Sequence, residues 1–142
     1  MMGITGPPIS RMRRQVEDKY GRWCGFVLLG KDNCEILVLT TYNIPQDTPV
    51  GDDTLHAQQT SMYLLDREVD PRPRKNFIRD LLKVLTQAKQ DDQDIIFLGD
   101  FNEVVGDDPK MIAQILEKAN LTDVHAHKHG HANIATYIPG RR

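Results

Sequence analysis

The sequence predicts an α/β fold, and three patterns carry that prediction. Ile95, Ile96, Phe97 and Leu98 form a short apolar run with two β-branched members, preceded by Asp91, Asp92 and Asp94 and closed by Gly99. Such a run reads as a strand covered on both faces. Residues 22–30 and 34–41 are two further apolar, β-prone runs joined by Lys31, Asp32 and Asn33, the pattern of an antiparallel hairpin. Between hairpin and third strand, Phe77, Ile78, Leu81, Leu82, Val84, Leu85 and Ala88 recur at three- and four-residue steps, which predicts an amphipathic helix starting near Arg74.

The remaining elements follow in chain order. Residues 1–19 hold Gly3, Gly6, Pro7, Pro8 and the basic trio Arg11, Arg13 and Arg14 with little periodicity, so they read as a loop. The trio is either a solvated arm or a phosphate contact. Tyr42 closes the second hairpin strand, and Pro45 forbids its continuation as a paired central strand. Residues 46–53 are rich in turn formers; Asp52 or Asp53 then caps a helix to about Arg67, with Leu55, Met62, Leu65 and Val69 as a loose apolar stripe. Pro71 and Pro73 break it, and the helix from Arg74 turns Arg79, Lys83 and Lys89 to water. Gly106, Asp107, Asp108 and Pro109 mark a third helix start, with Met111, Ile112, Ile115, Leu116 and Ala119 as its buried stripe to about Asn120.

His125, His127, His129 and His131 occupy every second position. On a strand this spacing projects four imidazoles to one side and suits a transition metal. Lys128 and Gly130 interrupt the segment and no Cys or acid joins it after Asp123, so an exposed loop is the preferred reading. Residues 134–137 are compatible with a last strand. Cys24 and Cys34 are too few for a disulfide framework, lack a zinc spacing, and are expected as two small buried thiols.

Bulk properties bound the function. With 142 residues, 39% of them hydrophobic, the chain has material for one modest domain. A net charge of −2 argues against a dedicated polyanion binder, although an enzyme that releases nucleic acid can be near neutral. No apolar run reaches membrane-spanning length and the first residues lack a secretory signal pattern, so the expectation is a soluble protein, intracellular, nuclear or cytoplasmic, without a membrane partner.

The strand at residues 95–98 ends on Asp100, Phe101 and Asn102. Carboxyl ends of strands in layered α/β structures are where reacting groups collect. Strand alternation sends Asp100 and Asn102 to one side and Phe101 to the other. A carboxylate that orients or deprotonates water, with an amide donor beside it, suits attack on a phosphodiester. Asp and Asn are also favoured in turns, because their side chains bond nearby backbone.

The string Gly99-Asp100-Phe101-Asn102 after an apolar strand, with Leu39-Thr40-Thr41-Tyr42-Asn43-Ile44-Pro45 upstream and Ala135-Thr136-Tyr137, Arg141 and Arg142 downstream, resembles the exonuclease/endonuclease/phosphatase superfamily. Within it the chain is similar to the endonuclease domains that accompany reverse transcriptases in non-LTR retroelements. The resemblance implies a DNase I-like α/β/β/α sandwich, Mg²⁺ as cofactor in the complete domain, DNA as partner and a reverse transcriptase region in the parent polypeptide. It implies catalytic roles for Asp100, which activates water, Asn102, which meets a phosphate oxygen, and Tyr42, which holds the polar network of the cleft. Thr136 and Arg141 become substrate-binding candidates, and the metal ligands stay unassigned, with Asp107 and Asp108 read as helix caps before metal ligands.

The family's opening strands, with an Asn and a metal-binding Glu, and its closing Asp-Tyr and Ser-Asp-His have no counterpart here. Residues 1–142 are therefore expected to be one partial domain that lacks the terminal strands, weakly active or inactive alone, with strand edges that favour marginal stability or self-association. Two alternatives stay open. One is a non-catalytic remnant or nucleic-acid-binding module; the other is a phosphoinositide or sphingolipid phosphoesterase of the same superfamily.

Overall fold

A computed structural model describes residues 5–45, 51–103 and 110–130. It contains one mixed four-stranded sheet in the order β1 (Met12–Glu17), β2 (Trp23–Leu29), β3 (Glu35–Tyr42) and β4 (Gln93–Asp100). The first three strands pair antiparallel, and β4 joins β3 in parallel. That parallel step follows from the connection, because helices α1 (Leu55–Leu65) and α2 (Pro73–Gln90) lie between β3 and β4. Helix α3 (Ile112–Lys118) and the short helix α4 (Val124–His129) follow. The predicted α/β class is therefore the observed one.

The hairpin of β2 and β3 forms where its two apolar runs predict it. Asp32 (φ 55°) and Asn33 (φ 62°) turn the chain in the left-handed region that Asp and Asn tolerate better than most residues. Register places Trp23, Gly25 and Val27 beside Thr41, Leu39 and Leu37, and these beside Gly99, Phe97 and Ile95, all on one face. Phe77, Ile78, Leu81, Leu85 and Ala88 of α2, with Ile112 and Ile115 of α3, bury that face. Helix α2 thus begins and packs as its three- and four-residue periodicity requires.

Several expectations are corrected. Residues 7–17 are not a loop: Pro7–Arg11 is a 3-10 turn and Met12–Glu17 is β1. Tertiary pairing with the apolar edge of β2 imposes a strand on a segment whose own pattern is weak. β4 is not covered on both faces. It is an edge strand among the described residues, and Ile96 and Leu98 are 48% and 46% exposed. Their face continues through Val38 and Ile36, which parity places opposite the helices.

The stripe assigned to α1 is also wrong, since Leu55, Met62, Leu65 and Val69 are all exposed and the buried positions are Gln59 and Tyr63. Its cap is Thr54, whose Oγ1 accepts from the Ala57 N–H at 3.2 Å, and not Asp52 or Asp53. Polar contacts hold this helix to the body: Arg22 donates to the Tyr63 hydroxyl, and the Tyr20 and Tyr63 rings lie 4.2 Å apart. The thiols are free, Cys24 half-buried and Cys34 exposed, so neither is the buried group expected. Residues 124–129 form a helix where an exposed loop was predicted, because Asp123 Oδ1 caps the Ala126 N–H at 3.0 Å. Asp107, Asp108 and the candidate strand at 134–137 lie outside the described residues.

Candidate functional site

Parallel register places Tyr42 directly beside Asp100 at the carboxyl ends of β3 and β4. Both belong to the sheet face away from the helices, and both are exposed, Tyr42 by 42%. The two strand ends are then laced together. The Asn43 N–H donates to the Asp100 carbonyl at 2.9 Å, and Asn102 Nδ2 donates to the Asn43 carbonyl at 2.7 Å.

Asp100 and Asn102 do come together, by a different route from strand alternation. β4 ends at Asp100, Asn102 takes a left-handed backbone (φ 47°), and its N–H donates to Asp100 Oδ1 at 3.0 Å. This is the Asx-type turn that competes with a catalytic reading of Asp-x-Asn. Phe101 goes the other way and packs on Phe97, ring centroids 5.0 Å apart. A carboxylate has a second oxygen and an amide a second N–H, so the turn bond does not exhaust Asp100 and the bond to the Asn43 carbonyl does not exhaust Asn102.

Gly99 is required by close approach. A Cβ there would meet the Thr41 carbonyl oxygen at 2.1 Å and Thr41 Oγ1 at 2.6 Å. Thr41 Oγ1 is itself buried with no hydrogen-bond partner among the described atoms.

The support beneath this site comes from residues that no sequence pattern singles out. Asn43 is 2% exposed and supplies both lacing groups from its backbone. Glu103, its side chain 1% exposed, pairs with Arg74 (3.3 Å) and accepts from the Ile112 N–H at 3.1 Å, so it caps α3 across a sequence gap. Arg74 also donates to the Ile44 carbonyl. One signal was available: a cation in the first turn of α2 opposes the helix dipole, which points to a tertiary partner for Arg74.

Other candidates lie elsewhere. Met12 pairs with Leu28 and Leu28 with Ile36, six positions before Tyr42 on β3. That separation puts Arg11, Arg13 and Arg14 roughly 20 Å along the sheet from Asp100, too far to share its phosphate. In α4 the helical period brings His125 to His129, centroids 5.1 Å apart, and turns His127 away. Thr136, Arg141 and His131 lie outside the described residues.

No group of three or more His, Cys, Asp or Glu that could hold a metal occurs among the described residues. A hard dication such as Mg²⁺ wants several converging oxygens. Asp100 brings one carboxylate, and Glu103 is engaged by Arg74 and the α3 cap. The described residues therefore do not fit a Mg²⁺ cage by themselves.

No protein-family description, curated protein or solved structure matches this chain. The site rests on its own geometry. No helix among the described residues is long and apolar enough to cross a membrane.

Proposed function

We propose that the chain carries part of a phosphodiester-hydrolysing site of the endonuclease/exonuclease/phosphatase type, acting on DNA. One observation carries this reading: Tyr42, Asp100 and Asn102 meet at one exposed corner, on a scaffold of adjacent parallel strands tied by Asn43. The second Asp100 oxygen orients or deprotonates a water, and the remaining Asn102 amide hydrogen meets a non-bridging phosphate oxygen. Tyr42 offers a ring and a hydroxyl beside Asp100. In this proposal the second sheet of an α/β/β/α sandwich covers the open face bearing Ile36, Val38, Ile96 and Leu98, and a reverse transcriptase region belongs to the parent polypeptide.

A single carboxylate at the corner supports low turnover in the isolated chain. Titration with a short DNA duplex should shift the amide NMR signals of Tyr42, Asn43, Asp100 and Asn102, while plasmid nicking in Mg²⁺ stays near that of Asp100→Ala. Shifts confined to other surfaces, or none at all, would overturn the reading. A second reading, a binding module without turnover, is favoured by the turn bond that occupies Asp100 Oδ1. Nicking that Asp100→Ala abolishes would reject it.

A further inference from the structure

Among the described residues the sheet has two outer strands, and the charges at their starts are opposite. At the start of β1, Arg11, Arg13 and Arg14 are exposed, and none has an ion pair among the described residues. At the start of β4, Asp91, Asp92 and Asp94 are exposed and likewise make no ion pair there. Among the described residues each strand has a neighbour on one side only, so each presents unpaired backbone groups along the other. Apolar side chains accompany both edges: Ile9 and Met12 are 50% and 39% exposed, Ile96 and Leu98 48% and 46%.

Strand direction decides how these edges can meet. β1 is antiparallel to β2 and β2 to β3, so β1 runs in the same sense as β3 and its parallel neighbour β4. Pairing through Leu28, Ile36 and Asp94 also puts the start of β1 level with the start of β4. A copy displaced sideways in the plane of the sheet therefore sets its arginines beside the aspartates without rotation. Two β1 edges that meet start against start repel each other, and so do two β4 edges.

We propose that this chain associates head to tail, the β4 edge of one copy against the β1 edge of the next. The contact is heterologous and leaves complementary edges free, so assembly grows with concentration and does not stop at a dimer. The bulge between Met12 and Arg14 interrupts the ladder on the β1 side. Charge thus carries much of the contact, which makes it weak and reversed by salt.

Sedimentation velocity on the full chain tests this. The weight-average mass should rise with concentration at low ionic strength and fall to the monomer in high salt. Arg13→Glu/Arg14→Glu and Asp92→Lys/Asp94→Lys should each remain monomeric with unchanged circular dichroism, and mixing the two in equal amounts should restore association. A wild type that stays monomeric at low salt overturns the proposal. So does a salt-insensitive dimer that both charge reversals leave intact, which would place the contact on the apolar sheet face. Should either variant fail to fold, the salt dependence of the wild type decides.

Discussion

Two residues show how much a single position is constrained by what approaches it. At Gly99 the β3 backbone comes so close that any Cβ meets the Thr41 carbonyl at 2.1 Å. Gly99→Ala must push β4 off β3 beside Asp100, and a cost of about 1–3 kcal/mol is expected from forced overpacking. A lower urea midpoint, together with shifted Tyr42 and Asp100 amide signals, is the check. Arg22 is the second case: it is 2% exposed, pairs with Asp18 at 2.7 Å and Asp80 at 3.1 Å, and stacks over Trp23 with its guanidinium 4.3 Å from the ring. Arg22→Ala strands two carboxylates in a largely dry setting, and loss of one partner of such a group costs about 3–5 kcal/mol. Chemical denaturation should find the variant severely destabilised. The sequence shows Arg22 only as an interruption at the start of a strand; its partners are 4 and 58 positions away, and no local pattern encodes the second.

At the scale of elements, legibility follows the source of stability. Helix α2 has an apolar face that buries Phe77, Leu81 and Leu85 fully, so its period alone predicts it. Helix α1 buries Gln59 and Tyr63, a polar pair that apolar counting skips, while its obvious leucines face water. A helix fastened by so few contacts should lean on its cap. Thr54→Ala removes the oxygen that accepts the Ala57 N–H and should cost about 0.5–2 kcal/mol, read from the unfolding midpoint and from faster amide exchange through residues 55–59. Strand β1 is not legible in sequence, because its pattern of Met, Arg, Arg, Gln, Val and Glu has no alternation; one edge of β2 specifies it.

For the molecule as a whole, carboxylates tie the turn before β2 to the helices, and their titration links stability to pH. Burial by itself raises the Asp80 carboxyl, but the Arg79 and Arg22 guanidinium groups outweigh it and hold its pKa below the usual value. Hydrogen bonds from Lys19 and Tyr20 lower Asp66, and those from Arg72 and Lys75 lower Asp70. A depressed folded-state pKa contributes stability that is complete above the unfolded value, about 3.9, and is lost as pH falls through the folded one. The urea midpoint should therefore hold from neutrality to about pH 5 and drop below about pH 4. Asp80→Asn should be less stable at neutral pH and show a shallower acid decline. A decline parallel to the wild type would remove Asp80 from the account.

The sequence by itself determined the class of fold, the β2–β3 hairpin and helix α2, because each rests on contacts between near neighbours or on a face with a regular period. Only the tertiary structure decided that β4 is an edge, that α1 hangs on Tyr63, that Glu103 caps α3 and that the arginine trio stands at the far end of the sheet. Those outcomes depend on which groups from distant parts of the chain share one dry space. A polar residue such as Arg22 or Glu103 enters that space only when its partners are already there to receive it.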